Sequence, residues 1–549
     1  MRNGQRIAIM AGVSAAVVSV VGFGAYSMLG DDEDDGRGTA PAASDGRPGD
    51  TEEPAGPPSE EEVRAASEAF LTAWAAGEPA DAARLTDDPE AAGAALEALS
   101  ADAAFTALAL EPGEPAGDQV PFAVEAVVSY EEEEPAELAW ESALSVVRDA
   151  DTEEPVVAWE PAVMHPDLAD GLRIETGPLA EVPPVEVLDR NGAELTAEEF
   201  PALAPVFAEL GERYGEQAGG SAGAETRIVD AEGGTVASLL QLSEPTAGQV
   251  PTTIDPEIQR AAEAAVAEGG HSAVVAVQPS TGAIQAIANN PADGFDTALE
   301  GSYAPGSTFK IVTASLLIDR GLAAAGAAHP CPQFFEHGGW KFQNLDEFDI
   351  EGGTFADSFA ASCNTAFISQ APELGDADLG NHARDVFGLG LDWQVGVTSM
   401  DGTVPTQSDA QMAASLIGQG AVRMNPLTMA SVSATVQSGT FRQPYLVPAD
   451  FDDRQLAQAP RGLSADAAAE LRGLMSRTAT SGTAAEAMSG LGGDIGGKTG
   501  SAEVDGQEKP NAWFTGYRND LAVAAVVPES GHGGEFAGPV VADVLRAAP

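Results

Sequence analysis

Two strand-turn-strand segments at opposite ends of residues 251–549 limit most strongly how this chain can fold. SAVVAVQ, a PSTG turn and AIQAIAN (272–289) read as one hairpin, and AWFTGY, an RND turn and LAVAAVV (512–527) read as another. A long helical region lies between them, and FAGPVVADVLRAA closes the chain as a helix. Strands at both ends with helices between predict one antiparallel sheet, built from the two ends and packed between helical layers. The region opens at Asp255-Pro256, a cap and first-turn pair that starts the helix PEIQRAAEAAVAEG.

Residues 7–29 carry no charge. As a helix they would reach roughly 35 Å, enough to cross a bilayer. Arg2 and Arg6 precede them and Asp31–Asp35 (DDEDD) follow, an asymmetry that keeps 1–6 in the cytoplasm and sends the rest of the chain outside. A cleaved signal peptide is the rival reading; its apolar region is usually shorter, and no convincing A-x-A site is present. Residues 30–60 read as a disordered acidic linker.

Order is expected to begin with a capping box, Ser59 with Glu62, ahead of an apolar stripe at Val63, Ala66, Phe70 and Trp74. Short helices near 79–86 and 89–99 and the strand-like runs VPFAVEAVVSY, AELAWESALSVV and PVVAWEPAV complete a small α+β domain over 61–168. It holds no catalytic set. Residues 169–250 read as a pedestal, with VEVLDRNGAEL as strand, Asn191-Gly192 turn and strand; 196–250 give weak signals.

The net charge of −60 would repel phosphate backbones and argues against nucleic-acid partners. It fits a saline setting, or simply acidic linkers and surface helices. Cys331 and Cys363 suit an oxidising exterior, as a disulfide or as two buried thiols. The six histidines form no H-E-x-x-H or similar cluster, and no G-x-x-x-x-G-K-[ST] occurs, so neither a metal nor a nucleotide cofactor is implied.

The chain has four lysines, Lys310, Lys341, Lys498 and Lys509; its other basic residues are arginine. Lys310 ends Ser307-Thr308-Phe309-Lys310, just after a Pro305-Gly306 turn and at the head of the apolar helix IVTASLLI. Residues i and i+3 share a helix face, which brings the Ser307 hydroxyl near the Lys310 amine. Burial disfavours a charged amine, and a neutral amine can take the serine proton; arginine cannot. In Ser362-Cys363-Asn364 a hydroxyl can relay a proton and an amide can orient Lys310 and the substrate backbone. Lys498-Thr499-Gly500-Ser501 lies just before the last hairpin, on a strand whose edge can pair with an extended peptide. There Lys498 and Thr499 offer a charge and a hydroxyl to a terminal carboxylate, and Gly500 leaves room for the peptide.

S-x-x-K, S-x-N and K-T-G in this order resemble the active-site serine penicillin-recognising enzymes. PGSTFK, SCNTAF, KTGSAE, the T-I-D-P-E-I-Q helix and the GQG at Gly418–Gly420 are similar to the transpeptidase domain of class B penicillin-binding proteins. LDRNG is similar to that family's pedestal. Residues 61–168, with AWEPAVMHPDL, resemble the nuclear-transport-factor-like domain of methicillin-resistance-type transpeptidases. The resemblance implies acyl transfer: Ser307 attacks the carbonyl between two D-alanines of a peptidoglycan stem peptide, with Lys310 as base. It implies Ser362 and Asn364 for the leaving amine and alignment. Lys498, Thr499 and Ser501 would bind the carboxylate, and the Ser307 and Ser501 N–H groups would form the oxyanion hole. β-Lactams would acylate the same serine, and other cell-wall synthesis proteins would be partners at the membrane. A Cys331–Cys363 bridge would tie the 331–345 loop to the site wall. A D,D-carboxypeptidase or serine β-lactamase on the same fold, and a non-enzymatic β-lactam sensor or divisome scaffold, are the alternatives; anchor, linker, extra domains and three intact motifs favour the transpeptidase.

Overall fold

The computed structural model describes residues 56–179 and 181–548. The expected anchor at 7–29, the tail before it and most of the linker lie outside the described residues. Among the described residues, no helix is long and apolar enough to cross a membrane.

Order begins where the capping box predicts. Glu62 N–H donates to Ser59 Oγ and Ser59 N–H to Glu62 Oε2, opening a helix over Glu60–Ala75 that buries Val63, Phe70 and Trp74. Two shorter helices, Pro79–Ala83 and Pro89–Asp102, follow. They pack with a four-stranded antiparallel sheet: Phe105–Pro112, Gln119–Val128, Ala136–Arg148 and Pro155–Ala158. The first strand was not expected, because FTALALEP is mostly exposed and follows its helix without a turn signal. The third expected run is shorter than read: its strand stops at Ala158, and Pro161–Val163 form a 3₁₀ turn. The core of this part centres on Phe70, Trp74, Leu96, Phe122 and Val146, and takes in Ile174 and Ile228 from further along the chain.

The next stretch contains two small sheets. Glu186–Leu188 and Glu194–Leu195 flank the Asn-Gly turn, which Asp189 Oδ1 ties by accepting from Asn191 and Ala193 N–H. The residues that gave weak signals form the helix Ala204–Tyr214 and the strands Ala224–Val229, Thr235–Ser243 and Gln249–Pro251. The helix packs onto the main core through Val206, Leu210 and Tyr214, whose hydroxyl donates to Gly396 O.

The two end hairpins do form one five-stranded antiparallel sheet, in the spatial order 284–290, 272–277, 521–527, 511–518, 495–502. Alternation along Ser272–Val277 sends Ala273, Val275 and Val277 to one face, and Val274 and Ala276 to the other. The second face is covered by Pro256–Ala267 and Gly533–Ala547, through Ile258, Ala262, Val541 and Leu545. The first is covered by Lys310–Asp319 and Pro426–Ser438, through Ile311, Val312, Leu427 and Val432. Asp255 Oδ1 caps the first of these helices, as its sequence predicts. The strand Ile495–Ala502 lies at the sheet edge and carries K-T-G.

Phe70 is fully buried against Trp74 and Trp159. Phe70→Ala is expected to cost about 3–5 kcal/mol in urea unfolding, the usual loss for a truncated core aromatic.

Candidate active site

Ser307 stands in a 3₁₀ turn, Gly306–Phe309, that runs directly into the helix Lys310–Asp319. Three residues per turn put Ser307 and Lys310 on one side. Every residue of that helix from Lys310 to Leu317 is buried, so the Lys310 amine has no water to retreat to. It donates to Ser362 O and to Asn364 Oδ1, both at 2.7 Å, and lies 3.5 Å from Ser362 Oγ. Among the described residues the Ser307 hydroxyl has no hydrogen-bond partner, and the partners of Lys310 are Ser362 and Asn364. The two short bonds account for both N–H groups of a neutral amine and leave its lone pair uncommitted.

Ser362 adopts a left-handed backbone, φ 59°, a conformation costing of order 1–3 kcal/mol for a residue with a Cβ. Its carbonyl meets one lysine and its hydroxyl meets another, since Lys498 Nζ donates to Ser362 Oγ at 2.8 Å. Lys498 also donates to Thr499 O, at 3.0 Å. Both lysines are fully buried, and their hydrogen-bond partners are all neutral. Aromatic faces sit near both: Phe367 lies 5.5 Å from Lys310 Nζ and Phe359 lies 5.7 Å from Lys498 Nζ. Burial pushes the Lys498 amine down to about 7. Burial, with the neighbouring Lys498 charge, holds Lys310 well below the ordinary lysine range. One amine is thereby favoured neutral while the other can keep its charge.

The edge strand brings the third motif. Thr499 Oγ1 is 2.6 Å from Thr483 Oγ1, and Ser501 Oγ accepts from Gly533 N–H and lies 3.4 Å from His532 Nδ1. A Cβ at Gly500 would meet Pro305 O at 2.8 Å and Thr308 N at 3.0 Å, so the glycine lets the edge strand press against the Ser307 turn itself. Gly418, φ 72°, serves the same packing from the other side: a Cβ would fall 2.1 Å from Gly306 O, and Gly306 N–H donates to Gly418 O.

Cys331 and Cys363 form a disulfide with a Cα separation of 6.2 Å. It joins the 331–345 loop to the Ser362–Asn364 segment. Hydrogen bonds thus join Lys310, Ser362, Asn364 and Lys498, and the strand that carries Thr499 and Ser501 lies against the Ser307 turn. Thr483, His532 and the buried Asn344 also contact these residues; none belongs to a motif, and only the tertiary fold brings them there. Among the described residues no cluster of His, Cys, Asp and Glu could hold a metal ion.

Several known proteins resemble this chain in sequence or fold. Residues 272–546 match the penicillin binding protein transpeptidase domain. The peptidoglycan D,D-transpeptidase PbpA of Mycobacterium tuberculosis is 29% identical over 369 residues, covering 56% of this chain and 73% of that protein. PbpA of Mycolicibacterium smegmatis is 28% identical over 365 residues, with coverages of 56% and 73%. Pseudomonas aeruginosa PBP2 has a similar fold, with a TM-score of 0.52 and 22% identity over 67% of this chain and 96% of that one.

Two outcomes are expected. Gly500→Ala should cost about 1–3 kcal/mol through overpacking, measured by urea unfolding. Thiol alkylation of the non-reduced, unfolded protein should label neither cysteine, whereas Cys331→Ser with Cys363→Ser should lower stability by about 3 kcal/mol.

Proposed function

This chain belongs to the penicillin-binding protein transpeptidase family, and we propose that it cross-links peptidoglycan through an acyl-enzyme on Ser307. It is a serine-type D,D-transpeptidase, as its PbpA relatives are named. The observation that carries the assignment of residues is the convergence of two fully buried lysine amines on Ser362, beside an unpartnered Ser307.

The steps follow from that geometry. Neutral Lys310 takes the Ser307 proton as Oγ attacks the carbonyl between two terminal D-alanines. Charged Lys498 and the Thr499 hydroxyl hold the terminal carboxylate of the stem peptide, which pairs with the outer edge of Ile495–Ala502. The Ser307 and Ser501 N–H groups receive the developing oxyanion, where each donor is worth about 3 kcal/mol or more in enzymes of this kind. Ser362 Oγ, bonded to Lys498 and near Lys310, passes the proton to the leaving D-alanine amine. An amine from a second stem peptide then takes the acyl group, and Ser307 is freed. A β-lactam follows the first half of this path and stops at the acyl-enzyme.

Four features of organisation complete the reading. The uncharged 7–29 segment between Arg2, Arg6 and Asp31–Asp35 supports a single-pass anchor with the catalytic part outside the cell membrane. Residues 61–168 form a nuclear-transport-factor-like domain, supported by helices packed on a four-stranded antiparallel sheet. Residues 169–250 form the pedestal and 251–549 the transpeptidase domain. Other cell-wall synthesis proteins at the membrane are the partners.

Intact-mass measurement after benzylpenicillin should show a stable one-drug adduct that Ser307→Ala abolishes; rapid drug turnover with no accumulated adduct would point to a β-lactamase instead. Lys310→Arg should slow acylation about 100-fold or more, because arginine cannot act as base. The second-order acylation rate should be bell-shaped in pH. It falls toward acid as Lys310 gains a proton. It falls again as pH rises through about 7, where Lys498 loses the charge that holds the drug's carboxylate.

A further inference from the structure

Asn364 occupies the N-cap of the short helix Thr365–Ile368, yet its side chain makes no capping bond. Its backbone angles are helical, φ −80° and ψ −49°, rather than the extended angles from which an N-cap side chain folds back onto its own helix. Here the oxygen is on Lys310 Nζ instead, at 2.7 Å, while Nδ2 donates to Gln343 O at 3.0 Å. The helix start is satisfied from elsewhere. Asn344 Oδ1 accepts from Asn364 N–H at 2.8 Å and Thr365 N–H at 3.1 Å, and Ala366 N–H meets Cys363 Sγ at 3.2 Å.

Asn344 is 1% exposed and its carboxamide is saturated. Both N–H groups reach backbone carbonyls, Phe348 O at 2.8 Å and Pro332 O at 3.0 Å; both oxygen lone pairs are taken by the two N–H groups above. Flipping the amide would set N–H against N–H and oxygen against oxygen, so only one orientation fits. Its neighbour Gln343 fixes the opposite end of the Asn364 amide. The pair 343–344 thus clamps both the backbone and the side chain of the residue that holds the base.

We infer that Asn344 is a positioning residue for the acyl-transfer reaction: by accepting from Asn364 N–H and Thr365 N–H it fixes the backbone of Asn364, and so holds the Asn364 carboxamide on Lys310. Without those two bonds the Asn364 backbone shifts and Lys310 loses one of its two short acceptors. The inference rests on the reading of Lys310 as the base.

The test is the second-order rate of benzylpenicillin acylation from pH 5 to 9, by intact mass, in the full chain and in Asn344→Ala and Asn344→Asp. Asn344→Ala is expected to lower the plateau by roughly 30-fold or more. It should also move the acid limb to lower pH, because the ammonium form of Lys310 loses a charge-assisted acceptor. Asn344→Asp keeps both acceptor contacts but sets a second oxygen against Phe348 O and Pro332 O and, when ionised, favours the ammonium form of Lys310, so its acid limb is expected to move to higher pH, opposite to Asn344→Ala. A merely structural role would scale the plateau with the folded fraction and leave the limb in place; that result in Asn344→Ala, or a plateau within about threefold of natural, overturns the inference. Should Asn344→Ala not fold, a folded Asn344→Asp whose acid limb stays in place overturns it equally. No adduct in the natural protein would overturn the functional reading itself, whereas a natural adduct with an unaffected variant overturns only the role of Asn344.

Discussion

Everything at this site depends on burying two amines without giving either a carboxylate. In a chain of net charge −60, acids are the commonest available partners, yet Lys310 and Lys498 meet only hydroxyl, carbonyl and amide oxygens and aromatic faces. An aspartate beside either would stabilise its ammonium form and raise its pKa. Neutral acceptors leave desolvation as the dominant influence, and that lets one amine act as a base while the other keeps a charge for the substrate. The cost of such burial is met by a large surrounding core, to which Ile311, Val312, Phe359 and Phe367 all contribute.

That core also explains why the two ends of the domain must close on each other. Lys310 comes from a helix that follows the first hairpin, Lys498 from the strand that precedes the last. They can share Ser362 only because the end strands pair into one sheet and the edge strand lies tightly against the Ser307 turn. Gly500 and Gly418 permit that contact from two sides. The left-handed Ser362 then presents a carbonyl to one lysine and a hydroxyl to the other, a local strain held by the disulfide at Cys363 and by the hydrogen bonds of Asn344.

Much of this was legible in the sequence. The end hairpins, the capped helix at Asp255, the Ser59 capping box and the three motifs rest on local patterns that the fold keeps. Residues 196–250 were not legible, because the buried Ala224–Val229 and the half-exposed Thr235–Ser243 show no clean alternation and gain their pairing only in the tertiary structure. The spacing of Ser307 and Lys310 placed them on one side but could not show that the amine bonds to Ser362 and Asn364 rather than to Ser307. The crowding of Gly500 against Pro305 and Thr308, which are remote in sequence, was not legible either. Asn344 and Thr483 carry no signal of their own: an isolated Asn or Thr is ordinary loop chemistry until the fold sets it against a catalytic motif.

The central claim is that burial lowers the proton affinities of both amines. With four lysines in the chain, side-chain nitrogen NMR of lysine-labelled protein resolves them directly, with Lys310→Arg and Lys498→Arg as assignments. The account predicts a Lys498 midpoint near 7 and a Lys310 midpoint well below the ordinary lysine value of 10.5. If both amines instead titrate at that ordinary value in the folded protein, Lys310 is not a neutral base and the account is contradicted.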